Sequence, residues 1–229
     1  MRRFVFAVSL ACCAASCGGG STTSPSQSTT TTTTAPPSNR APVIASTTAT
    51  PSFGVADLTA FSFAALASDQ DGDALTYSWN IAGNNATGSN PAPIIFRSPG
   101  GNGVATVTVT DTKGASATGS ANFIVGSMQG TWTGTMPGFT LNYTFTQSTT
   151  GTLTATWSVT GINNANGVLD PASPNNINSS AHVTFRSKPT SAGFLDFTIV
   201  GDMDNTGRRI TGSVSGSGLN GQVIMTKVS

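Results

Sequence analysis

The sequence predicts an all-β protein: an antiparallel β-sandwich and a second, small antiparallel meander barrel, after a disordered Thr/Pro-rich tether. Three observations point there. Apolar residues alternate with polar ones in short runs separated by Gly, Asn, Asp and Ser, the period-two pattern of half-buried strands. The 229 residues hold nine acids, all Asp, and Asp favours turns over helix interiors. Residues 18–40 are dominated by Gly, Ser, Thr and Pro, which leaves nothing apolar to bury.

Composition excludes several functions. Charged residues are 8% of the chain and the formal charge is +1, so no basic stripe exists to engage nucleic acid. With one His, no Glu and cysteines only at Cys12, Cys13 and Cys17, neither a zinc site nor a Cys/His nucleophile can be assembled. Nothing downstream can form a disulfide, so the folded parts rest on packed cores.

Arg2 and Arg3 precede an apolar run from Phe4 to Leu10 that continues through small residues, the pattern of a secretory signal peptide. The run is too short for a spanning helix, which needs ~20 apolar residues. Ala14-Ala15-Ser16-Cys17-Gly18 resembles the lipobox of bacterial lipoproteins. That resemblance implies a signal peptide over 1–16, lipidation of Cys17, a membrane partner through the lipid and, with Gly19 rather than Asp, the outer membrane. The alternative is a secreted protein cut after a small residue. The tether, 17–40, contains Thr29–Thr34 and Ala35-Pro36-Pro37; as polyproline II it reaches ~70 Å.

From 41 to 126 the strands are explicit. Phe61, Phe63, Ala65 and Ala67 alternate before an acidic turn; Leu75, Tyr77, Trp79 and Ile81 alternate after it. Ala105, Val107 and Val109 lead to the turn Asp111-Thr112-Lys113-Gly114, and Ala117, Gly119, Ala121, Phe123 and Val125 complete a last strand. Six or seven strands with a central Trp fit an immunoglobulin-like sandwich. Asn39-Arg40-Ala41-Pro42, the run Ala67–Trp79 and Val107–Gly114 resemble the PKD and cadherin-like group of extracellular Ig-fold modules. The resemblance implies a spacer or adhesive unit.

Asp69, Asp71 and Asp73 alternate on the acidic turn. Hard carboxylate oxygens so placed can converge on Ca²⁺, which takes six to eight of them. By the resemblance, Asn39 and Asp111 add ligands to this structural calcium. The other reading is that the Asp side chains cap turn amides and Gly72 supplies a positive φ. No other cofactor is indicated.

From 127 to 229, Gly130-Thr131-Trp132-Thr133-Gly134 opens a meander. Phe139, Leu141, Tyr143 and Phe145 alternate, then Leu153, Ala155, Trp157 and Val159. A polar loop is expected over 163–180. Val183 and Phe185 follow, then Leu195, Phe197 and Ile199, then Ile210, Gly212 and Val214, and finally Val223 and Met225. A barrel removes the exposed edges of such a meander. The Gly-x-Trp opening resembles the calycin group, which implies a ligand cavity in the mouth; the alternative is a barrel filled by its own side chains, with Trp132 and Trp157 in the core.

Other signals carry no chemistry. Gly216-Ser217-Gly218-Leu219-Asn220-Gly221 satisfies GxGxxG but opens no helix, and reads as a hairpin turn. His182 reads as a strand residue on the polar face. Asp196 falls on a solvent face, and Asp202 and Asp204 in a turn before Arg208 and Arg209, so no catalytic carboxylate pair is assigned. The expectation is a non-catalytic surface lipoprotein that meets an extracellular polysaccharide or protein. The alternatives are a small-ligand carrier and an accessory subunit of a secreted enzyme. The volume enclosed by Trp132, Leu141, Trp157, Phe185, Phe197 and Val214 distinguishes the carrier.

Overall fold

The computed structural model describes residues 38–136, 138–161, 164–190, 193–216 and 218–228. The expected signal peptide, Cys17 and most of the expected tether lie outside them. No helix occurs among the described residues.

Eight strands build an Ig-like sandwich: β1 (Val43–Thr50), β2 (Phe53–Val55), β3 (Ala60–Ser68), β4 (Leu75–Ile81), β5 (Asn84–Thr87), β6 (Ile94–Ile95), β7 (Gly101–Asp111) and β8 (Ser116–Gly126). One sheet has the order β1-β3-β6, the other β2-β8-β7-β4-β5. The chain changes sheet between β1 and β2, and β2 then runs parallel to β8. The expected alternation decides which side chains face inward: Phe61, Phe63, Trp79, Ile81, Val107, Val109 and Phe123 are buried between the sheets, while Thr76, Ser78 and Asn80 are exposed. Trp79 sits on β4, between β7 and β5. Its ring supplies a large apolar payload and its Nε1 donates to Gly88 O at 2.8 Å, so no polar atom is stranded.

The remaining strands are β9 (Gly130–Met136), β10 (Phe139–Gln147), β11 (Leu153–Gly161), β12 (Ala165–Leu169), β13 (Asn176–Ile177), β14 (His182–Pro189), β15 (Phe197–Met203), β16 (Arg209–Gly216) and β17 (Leu219–Lys227). All but β13 close an eight-stranded antiparallel barrel, sealed by β17 on β9 and β12 on β14. Apolar side chains pack much of its interior. Tyr143 stacks on Phe145 at 5.1 Å, and both meet Phe185 edge-on. Trp132 is fully buried and donates from Nε1 to Met128 O at 2.9 Å. Tyr143 Oη and Ser187 Oγ share a buried hydrogen bond of 2.7 Å, and burial pushes the phenol pKa up.

Three expectations need correction. The stretch 163–180 is not a plain loop: Ala165, Gly167 and Leu169 face inward on β12, and β13 follows. Its Ala-Asn-Gly run is poor in β-branched residues, so propensity conceals it. Gly is needed there because a Cβ on Gly167 would stand 2.7 Å from the Trp157 ring and 2.1 Å from Lys188 O. Leu195 precedes β15 and is 70% exposed rather than continuing the inward alternation of Phe197 and Ile199. Asp202 lies in β15, not in the turn.

Candidate functional site

The end of the sandwich where β3 finishes, β4 begins and β7 finishes gathers the acidic residues. Carboxylate oxygens of Asp69, Asp73 and Asp111 lie within 4.8 Å of one another. Asn39, just before β1, donates from Nδ2 to Asp111 Oδ2 at 2.9 Å. Asp71 is not in the cluster; its Oδ2 accepts from Arg40 N at 2.7 Å. Much of the acidic capacity serves turns: Asp69 Oδ1 accepts from Asp71 N and Asp73 N, and Asp111 Oδ1 from Lys113 N and Ala115 N. Burial pushes the Asp111 carboxyl up, but the hydrogen bonds from Asn39 and the loop amides outweigh it and hold the pKa below the usual range.

Among the described residues, Asp69 Oδ2 is buried without a hydrogen-bond partner. The cluster's cation is Lys113, with Nζ 3.0 Å from Asp73 Oδ2; this contact raises the lysine pKa. Lys113 was legible only as a turn residue, because its partner lies on a different loop.

The opposite end of the residue 38–229 unit is the barrel mouth. There an apolar cavity of about 270 Å³ is lined by Met136, Phe139, Leu141, Trp157, Val159, Ala165, Pro189, Gly193, Phe194, Leu195, Phe197 and Leu219. Of the six residues singled out as enclosing a possible cavity, Leu141, Trp157 and Phe197 line it, while Trp132, Phe185 and Val214 pack the core. Trp157 Nε1 is already taken by Val168 O at 3.0 Å, so no lining side chain offers a free donor. Phe194 and Leu195 were missed as lining residues because they read as the run into a strand; the adjacent Gly193 was the available signal for a turn.

Between these ends the sandwich and barrel share a hydrogen-bonded joint. Gln147 Nε2 donates to Ala56 O, and Gln147 Oε1 accepts from Met128 N and Ser127 Oγ. Ser127 Oγ is 3.2 Å from Ser98 Oγ, which donates to Asp57 Oδ2 at 2.8 Å. Gly207 packs so closely that a Cβ would stand 2.9 Å from Gly126 Cα.

Of the remaining candidates, Asp196 and residues 218–221 adjoin the mouth, where Leu195, Phe197 and Leu219 line it, and His182 and Asp204 stand apart from both ends. His182 is half-exposed on β14, with Nδ1 2.7 Å from Asp202 Oδ1. Asp196 pairs with Arg186 Nη2 at 3.0 Å. Asp204 Oδ1 accepts from the amides of Thr206 and Arg209, and the 216–221 run spans the end of β16 at Gly216 and the start of β17 at Leu219.

Residues 39–124 match a family model described as the bacterial Ig domain. Among solved structures, the PKD1 domain of Vibrio anguillarum Epp is similar at 26% identity, covering 38% of this chain and 96% of that one, with a TM-score of 0.31. No curated protein matches. The family match spans the sandwich and leaves the barrel strands outside it. Ig-like modules of this kind are commonly extracellular binding or scaffolding units and are generally non-catalytic.

Proposed function

We propose that this chain is a non-catalytic, lipid-anchored protein of the bacterial cell surface, held in the outer membrane through Cys17. It works in adhesion, scaffolding or contact with an extracellular polysaccharide or protein. The Gln147 joint supports this reading, since a spacer must be fastened to the module it presents. A lipid followed by the tether holds that module clear of the membrane. Protease shaving of intact cells, with a polysaccharide-coated surface as the adhesion assay, tests it. Wild-type chain should be cleaved from outside and promote retention, and Cys17→Ser should lose both; a chain shielded from external protease would sink the reading.

The apolar mouth favours a second reading, a carrier of a small hydrocarbon ligand. Its volume lies just below the ~300–1,000 Å³ typical of ligand pockets. Trp157 fluorescence should respond saturably to medium-chain alcohols, and Leu195→Asp should abolish the response; a linear response in both would exclude it.

The same proposal gives Asp69, Asp73 and Asp111, with the Asn39 amide oxygen, to a structural Ca²⁺ that takes the place of the Lys113 ammonium. Asp69 Oδ2, buried without a hydrogen-bond partner, supports that fit.

A further inference from the structure

Beside the joint, the sandwich and the base of the barrel enclose a cleft of about 290 Å³, with Gly101 and Ile124 on one wall and Thr206, Arg208 and Lys227 on the other. Two cations line it, Arg208 and Lys227. Among the described residues, neither Arg208 nor Lys227 forms an ion pair. The half-buried Lys227 ammonium donates to Ser127 O at 3.0 Å and stands 5.8 Å from the Trp132 ring centroid. An ammonium has three donors, so two remain. Arg208 Nη2 reaches Lys227 O at 3.4 Å, which leaves most of its planar fork of donors unused.

Among the described residues, the Asp nearest in sequence to Arg208 does not serve as their counter-ion. Asp204 Oδ1 is committed to its own turn, accepting from Thr206 N, Thr206 Oγ1 and Arg209 N. Burial first, and the neighbouring Arg208 charge second, lower the Lys227 pKa. Holding two like charges together in a partly dry cleft is unfavourable unless an opposite charge joins them. The opposite wall has room for one, since no atom lies within 4 Å of where a Gly101 Cβ would stand.

We propose that this cleft binds an oxyanion, the carboxylate, sulfate or phosphate group of a ligand lying across the joint. The Arg208 fork and the Lys227 ammonium hold it. Guanidinium matches the planar geometry of such groups with two parallel hydrogen bonds, and the ammonium adds a point charge. The site is distinct from the barrel mouth and the Asp cluster and depends on neither.

Calorimetric titration of the full chain in detergent with sodium sulfate, sodium phosphate and trigalacturonate, against sodium chloride at equal ionic strength, tests the proposal. Trp132 fluorescence is the second readout. Saturable binding of at least one of the three is expected, weakened about tenfold by Arg208→Gln and unchanged by Lys188→Gln. Preference for sulfate or phosphate would identify an ester group, and preference for trigalacturonate an acidic sugar. Heats equal to those of chloride for all three, or binding unaltered in Arg208→Gln, would overturn it. Arg208 is exposed, so its variant folds even if Lys227→Gln does not.

Discussion

The Gln147 side-chain amide donates to the Ala56 carbonyl at 3.0 Å, joining barrel to sandwich across 91 positions of sequence. Its Oε1 meanwhile accepts from Met128 N at 2.8 Å. One buried side chain thus satisfies backbone groups on both sides of the joint.

Gln147→Leu should therefore strand those groups and destabilise the protein by about 2–4 kcal/mol. Urea unfolding followed by Trp fluorescence should show one transition in the wild type and two in the variant, because the sandwich and barrel cores no longer report on each other. A variant that still unfolds in one unshifted transition would show that the joint contributes little.

Calcium should raise the thermal midpoint through the Asp cluster. Lys113→Met removes the resident cation and should enlarge that shift, whereas Asp69→Asn should abolish it. Calorimetry with Ca²⁺ and then with excess chelator reads all three; no calcium shift in either the wild type or Lys113→Met would exclude a metal there.

Acid should unfold the protein from a definite direction. At Asp57 burial pushes the pKa up, but Ser98 and Arg97 outweigh it; at Asp170 the Ala172 amide dominates. Asp111 and Asp204 are also depressed by their hydrogen bonds. A pKa lower in the folded state means the unfolded chain binds protons first as pH falls. This stabilisation is complete above about pH 4–5 and is lost as pH drops through the folded values. Urea midpoints measured from pH 7 to pH 2.5 should fall below about pH 4, and Asp57→Asn should flatten that limb.

Closure of the barrel should be sensitive at Gly167. A methyl group there meets the Trp157 ring and the Lys188 carbonyl, and backbone cannot yield as a flexible side chain does. Gly167→Ala should cost about 1–3 kcal/mol and lower amide protection on β12 and β14 in hydrogen exchange, with the sandwich strands unaffected.

The alternation of Leu75, Tyr77, Trp79 and Ile81, and of Leu141, Tyr143 and Phe145, was legible because burial on one face writes itself into every second residue. Asn39 and Asp111 came within reach of the acidic turn by resemblance, and the structure hydrogen-bonds them to each other. Strand β12 was not legible, since two of its three inward residues, Ala165 and Gly167, are small, Gly167 lying against Trp157, and smallness carries no hydrophobic signal. Nor were Gln147 and Lys113: each acts on a partner distant in sequence, and a single polar side chain does not announce which distant group it will meet.

The seam between β9 and β17 makes the barrel's order of assembly visible. Most of its pairings join successive hairpin strands, which can form early because little chain must be ordered to make them. The seam pairs strands at the two ends of the barrel sequence, so β9 keeps an open edge until β17 arrives. During folding, that edge is where a neighbouring chain can pair in its place, and a seam that closes slowly is where yield is lost.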